Sequence, residues 1–190
     1  RSVQIAACSR IADVGARCFI DATGEGDLAA LAGAEFAQGH PETGQTLHMS
    51  LIFTLYDTGK PTTPYLPEGL EPIRGKEDLP GLHVAAKLTD GRVFCNMVKI
   101  MDHDPTDPVC LSDAESEARR QIARLVHYLQ STRYPTHALA SSGARIGIRE
   151  GRRILGDYVL NEHDIRGETP KDFPDGVAVA TSQIDFHSLT

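Results

Sequence analysis

Tryptophan is missing from this sequence, and aromatic residues make up only 6% of it. The few aromatics do not interleave with basic residues, which excludes the stacking groove of a single-strand nucleic-acid binder. A positive charge excess is missing too. Asp and Glu number 26 against 19 Lys and Arg, a net charge of −7, which argues against a surface built for nucleic acid or another polyanion. No apolar run approaches the roughly 20 residues of a membrane span, so no membrane partner is expected. Signal and transit segments are not visible, and the sequence opens at Arg1 in the middle of what reads as a strand. The 190 residues are therefore expected to be a piece of a longer protein. Cysteine is sparse. Cys8, Cys18, Cys95 and Cys110 form no CxxC pair and have no histidine at zinc-ligand spacing, so no metal site is expected. They read as reduced, mostly buried small side chains of a cytoplasmic protein.

What is present is 41% hydrophobic residues, 17 Gly and 11 Pro, enough for one domain with a sizeable core or somewhat more. The runs Val3–Cys8 and Ala16–Ala22 predict two strands with a turn region between them. A small-residue helix over Leu28–Ala34 follows, then a polar loop over 38–45. Leu47, Met49, Leu51, Phe53 and Leu55 share one parity and predict a strand with one apolar face. Five prolines between 57 and 80 predict a loop. Asp90-Gly91, between Leu82–Leu88 and Arg92–Met101, predicts a hairpin with a tight primed turn. Ser112 and Glu115 form a capping-box pattern ahead of the stripe Ala118, Ile122, Leu125, Val126 and Leu129, which predicts a helix over 113–132. It should stop before Tyr134-Pro135. Beyond it, 144–160 reads as extended segments broken at Gly147, Gly151 and Gly156, and Val177–Ala180 and Ile184–His187 read as strands.

Gly24-Glu-Gly-Asp-Leu-Ala29 matches the pattern GxGxxA between a strand and a helix, the setting in which a dinucleotide pyrophosphate sits on a helix N-terminus. That fingerprint also requires a second strand ending in an acidic residue about 20 residues on. Here a polar loop stands in its place, and Asp27 puts a carboxylate where a phosphate should lie. A nicotinamide-binding enzyme is thus the weaker reading. Asp21 and Asp27 suit helix capping better than general-acid work. Asp102-His103-Asp104 reads as a solvated turn, since adjacent residues rarely converge on one ion.

Ile20-Asp-Ala-Thr-Gly24 after a small meander resembles the second, "ATG"-type motif of two-dinucleotide-binding flavoproteins, where a glycine lets the backbone approach FAD. Phe19-Ile-Asp-Ala-Thr-Gly-Glu-Gly-Asp-Leu-Ala-Ala30, Ala32-Gly-Ala34 and Met49–Phe53 extend the match. So do Ile146-Gly-Ile-Arg-Glu-Gly-Arg-Arg-Ile154, Gly156-Asp-Tyr-Val-Leu160 with Asp164, and Ile184-Asp-Phe-His187. Together they resemble the FAD-dependent oxidoreductase family, with its "IDATGDGDLAALAGA" and "GxRExRRI" signatures. Two positions depart from that pattern: Glu25 stands for a usual Asp, and Gly151 for a usual Thr or Ser. The family's N-terminal GxGxxG unit and its flavin-closing segment are not found. The resemblance implies an α+β fold with a β-rich substrate-binding domain covered by one long helix, plus a partial Rossmann-like FAD-binding segment. It divides the chain into a cofactor segment (1–34), a substrate-domain sheet and helix (35–143), and an Arg-rich segment with return strands (144–190).

The implied function is hydride transfer from a small organic substrate to FAD, with the missing flavin-binding segments supplied by the parent chain. Ala22, Thr23, Gly24, Gly26 and Asp27 would line the cofactor. Arg149, Arg152 and Arg153 would face flavin or substrate, as arginine suits bidentate anion recognition and positive charge stabilises a reduced flavin. The competing reading pairs them with Glu150 and nearby acids in a structural role. His187, His48 and Arg149 are the catalytic candidates, the histidines because they titrate near neutrality. A homo-oligomer is compatible with this reading. A non-catalytic binding module of the same fold is the alternative.

Overall fold

The computed structural model describes residues 1–81 and 84–169, with Pro174 and Gly176. Leu82, His83 and the expected strands over Val177–Ala180 and Ile184–His187 lie outside the described residues. The architecture is α+β, in agreement with expectation. Its centre is a four-stranded antiparallel sheet of β4 (Phe53–Asp57), β5 (Val84–Lys87), β6 (Val93–Asn96) and β7 (His137–Ser142), in the order β5-β6-β4-β7. The predicted parity holds: Met49, Leu51, Phe53 and Leu55 are 0–2% exposed. Only the second half of that run forms a ladder, however. Met49 and Ser50 are held by single bridges to Ile100 and Gly147, so the apolar alternation outlasts the strand pairing. β7 is short of β-branched and aromatic residues and was not legible as a strand.

The helix α2 (Pro108–Ser131) covers the sheet. Ala114, Ala118, Ile122, Leu125, Tyr128 and Leu129 form its buried stripe, packed in one cluster with Phe53, Leu55, Val93 and Cys95. Each fully buried leucine contributes about 1.5–3 kcal/mol, far more than any residue's helix propensity, so the stripe decides the helix's placement. Its start lies more than a full turn ahead of the predicted one. Asp107 is the N-cap, its carboxylate accepting from Val109 N–H (2.7 Å) and Cys110 N–H (3.0 Å), with Pro108 at the first helical position. Pro108 lacks the N–H that would go unpaired there, so Asp107-Pro108 outcompetes the Ser112–Glu115 pattern. One polar side chain sits in the interface. Gln121 is buried with its amide clamped on Lys99, donating to the carbonyl at 3.0 Å and accepting from the N–H at 3.1 Å.

The turn at Asp90-Gly91 is also corrected. Gly91 takes a positive φ of 86° but Asp90 does not, and Gly91 N–H bonds the Leu88 carbonyl. The hairpin therefore closes through three residues, Thr89 to Gly91, with glycine in the left-handed place of a bulged turn rather than a two-residue primed turn. In the N-terminal region β1 (Ser2–Ala7) pairs with β2 (Arg10–Gly15). The second strand is thus the segment expected to be a turn, and 16–22 forms no ladder among the described residues; Ile20 is 85% exposed. Then come α1 (Asp27–Leu31), β3 (Phe36–Gln38), β8 (Arg152–Ile154) and α3 (Glu162–Ile165). β3 and β8 pair antiparallel, matching Gln38 with Arg152 and Phe36 with Ile154. Of the cysteines only Cys95 is buried. Cys8 and Cys18 are exposed, contrary to expectation, because among the described residues no layer packs over the hairpin and the stretch after it.

Candidate functional site

The loop 22–26 is organised by the residue before it. Asp21 Oδ1 accepts from Thr23 N–H (2.9 Å) and the Thr23 hydroxyl (2.8 Å), and Oδ2 accepts from Ala29 N–H (2.7 Å). The Thr23 hydroxyl oxygen accepts in turn from Asp27 N–H at 2.8 Å. The bond from Thr23 N–H, followed by that from Ala29 N–H, holds the Asp21 carboxyl below its ordinary value of 3.8. Asp21 is therefore the cap of α1, reaching back over the loop. Gly26, the N-cap by position, supplies only the left-handed turn (φ 64°), with Ile154 packed against its α-carbon.

β8 brings the arginine segment to this loop. Strand alternation sends Arg152 and Arg153 to opposite faces. Arg152, its side chain 17% exposed, donates to Asp27 Oδ1 at 2.6 Å and to the Glu25 carbonyl at 3.4 Å, with its guanidinium 5.5 Å from the centre of the Phe36 ring. Arg153 pairs with Glu150 and donates to the Gly39 carbonyl at 2.9 Å, while Glu150 accepts from Leu47 N–H at 2.9 Å. Both arginines thus tie the segment to neighbouring elements. Arg149 is exposed, and His48 is half-buried just ahead of the Met49–Ile100 bridge. His187 lies outside the described residues.

A cleft of about 540 Å³ opens beside the loop, lined by Thr23, Glu25 and Asp27, by Pro105, Thr106 and Leu111 near the start of α2, and by Arg145, Ile146 and Ile148. Glu25 was not singled out from the sequence as a site residue. Its carboxyl rests against the α-carbon of Gly151, and Oε2 is buried with no hydrogen-bond partner among the described residues. Burial, reinforced by the nearby Asp27 charge and opposed by Arg152, raises its pKa. The two departures noted in the sequence, Glu25 and Gly151, are therefore one contact in space. Around Asp102-His103-Asp104 a second, polar cleft of about 460 Å³ carries the pairs Gln38–Asp104 (2.9 Å) and Gln45–Asp102 (3.3 Å). No group of potential metal ligands is found among the described residues, nor any helix long and apolar enough to cross a membrane.

Ala22, Thr23 and Gly24 are exposed, and among the described residues beyond its chain neighbours Gly24 (φ 81°) has no atom within 4 Å of the place a Cβ would take. A loop held rigid by Asp21, with bare backbone toward open space at the rim of a cleft, fits a flat, nucleotide-linked cofactor laid against it. The sequence comparison gives that class its name: residues 1–190 match the FAD dependent oxidoreductase family. The chain belongs to this family, whose cofactor is FAD. Comparison with curated proteins and with solved structures gives no match.

Proposed function

We propose that this chain supplies the cofactor-facing loop and the substrate cleft of an FAD-dependent oxidoreductase that takes a hydride from a small organic molecule. The observation that carries this reading is the open Ala22–Gly24 backbone at the edge of the 540 Å³ cleft. FAD, when bound, supplies the hydride-accepting ring. The residues of this chain bind, orient and exclude water. Ala22, Thr23 and Gly24 present backbone to the cofactor, Gly26 sets the turn that follows them, and Asp27 is held by Arg152 so that the loop keeps its shape. Exposed Arg149 is assigned to flavin or substrate, Arg152 and Arg153 to fixing the segment that carries it, and His48 and His187 to proton handling. No N-terminal GxGxxG unit for the pyrophosphate occurs in these 190 residues, so we assign that part of the cofactor site to a further segment of the parent protein. The 1–34, 35–143 and 144–190 division, a partial Rossmann-like character of the first part, and a cytoplasmic location belong to the same reading.

Uptake of FAD, read as the flavin's visible absorbance and quenched fluorescence in the intact parent, tests it; a parent that stays colourless with added FAD overturns it. Arg149→Ala or Arg152→Ala in that parent is expected to lower turnover or flavin retention by about ten-fold or more, equivalent to roughly 1.4 kcal/mol. Unchanged kinetics with lowered thermal stability would make both arginines structural.

A further inference from the structure

Two acids line the cleft, one paired with an arginine and one withdrawn. Asp27 is bonded to Arg152 at 2.6 Å. Glu25 is drawn back against Gly151, with Oε2 sealed from solvent. A Cβ at 151 would overlap that oxygen, so any side chain there must push the carboxyl away. Backbone geometry does not explain the glycine, because Gly151 lies outside the left-handed region and alanine would fit its φ without strain. Glycine at 151 has the effect of leaving room. The cation in the cleft's lining is Arg145, which is exposed. Its charge is felt by Glu115, whose carboxylate is already bonded to Arg119 and to Ile146 N–H at 2.6 Å. Pro105, Leu111, Ile146 and Ile148 supply the apolar part of the wall, with Thr23 and Thr106 beside them.

We infer that the cleft takes a small carboxylate with an apolar body, bound through Arg145, and that Gly151 is the specificity position that keeps Glu25 withdrawn from it. The role in catalysis rests on the function proposed above; the charge selection does not. An arginine fork matches a carboxylate in two parallel hydrogen bonds, while a carboxylate swung into the same space repels it.

The experiment uses benzoate and its neutral analogue benzamide as probes, titrated into the isotope-labelled chain and followed at the backbone amides of Thr23, Thr106 and Ile146. Benzoate is expected to bind more tightly than benzamide. Gly151→Ala, which releases Glu25, should weaken benzoate roughly five- to ten-fold, the size of one like-charge contact in a hydrated cleft, and leave benzamide unchanged. Adding Glu25→Gln to Gly151→Ala should restore benzoate binding, and Arg145→Ala should abolish the preference. Equal binding of the two probes overturns the substrate class. A Gly151→Ala variant that binds benzoate like the wild type overturns the role of residue 151. If Gly151→Ala fails to fold, Arg145→Ala and Glu25→Gln alone still decide the class. Benzoate selectivity in a parent that takes up no FAD would sink the flavin reading and leave this one standing.

Discussion

Strand β1 of the N-terminal hairpin and the β4–β6 pair of the central sheet both carry apolar alternation, yet they end in opposite environments. Val3, Ile5, Ile11 and Val14 supply the hairpin's apolar side chains, and Ile5, Ile11 and Val14 are exposed. Phe53, Leu55, Val93 and Cys95, with a similar pattern, are sealed under α2. The difference lies in what covers each surface. A two-stranded ribbon is marginal alone, whereas a sheet with a helix across one face forms a core. Alternation specifies a strand; a second layer turns it into stability. The site loop lies with the first kind of region and borrows its rigidity from polar contacts instead, through Asp21 and Arg152.

The strongest way to break this contrast is to cut into the covered sheet. Phe53→Ala should destabilise the fold by about 3–5 kcal/mol in urea unfolding, while Ile11→Ala in the hairpin should stay within about 0.5 kcal/mol. Comparable losses at the two positions would mean that the hairpin is buried in solution. Gln121→Ala comes next. It leaves the Lys99 N–H and carbonyl unpaired beneath the helix, and about 1–3 kcal/mol should be lost. Thiol chemistry sharpens the comparison without a mutation. Cys8 and Cys18 should be alkylated promptly at mildly alkaline pH, while buried Cys95, its thiol pushed up to about 11, should react only on unfolding. Mass spectrometry of the labelled peptides decides this.

The smallest effect is electrostatic. The Asp21 carboxyl titrates below its ordinary value of 3.8, so its contribution is complete above that pH and fades as pH falls through the lower, folded value. Hydrogen exchange should therefore show the Ala29 amide losing protection over that acid window, and Asp21→Asn should remove the dependence.

Much of the covered region is legible in the sequence, because periodicity reports burial directly. The parity of Met49 to Leu55 and the stripe from Ala118 to Leu129 both locate the core. Ends were harder: Ser112 and Glu115 carry a valid capping pattern, but Asp107-Pro108 offers a better one upstream. β7 escaped notice since His137–Ser142 has small and polar residues where β-branched ones would announce a strand. At the site, the ATG loop was readable from its residue types. The partnerships were not. Arg152 and Asp27 lie 125 positions apart, and the contact of Glu25 with Gly151 is a matter of space left empty, which no spacing rule encodes.

The pairing of β3 with β8 has a consequence for folding order. At Gln38 opposite Arg152 the chain returns to the place it left, so everything from 39 to 151 is an excursion closed by three residue pairs. Contacts of such long sequence separation form only after the intervening chain has been drawn together. The sheet and α2 inside the excursion can condense first; the Arg152–Asp27 bridge, and with it the shape of the cofactor loop, comes last. A slow step anywhere in that interior therefore delays binding competence, even where the residues concerned lie far from the loop.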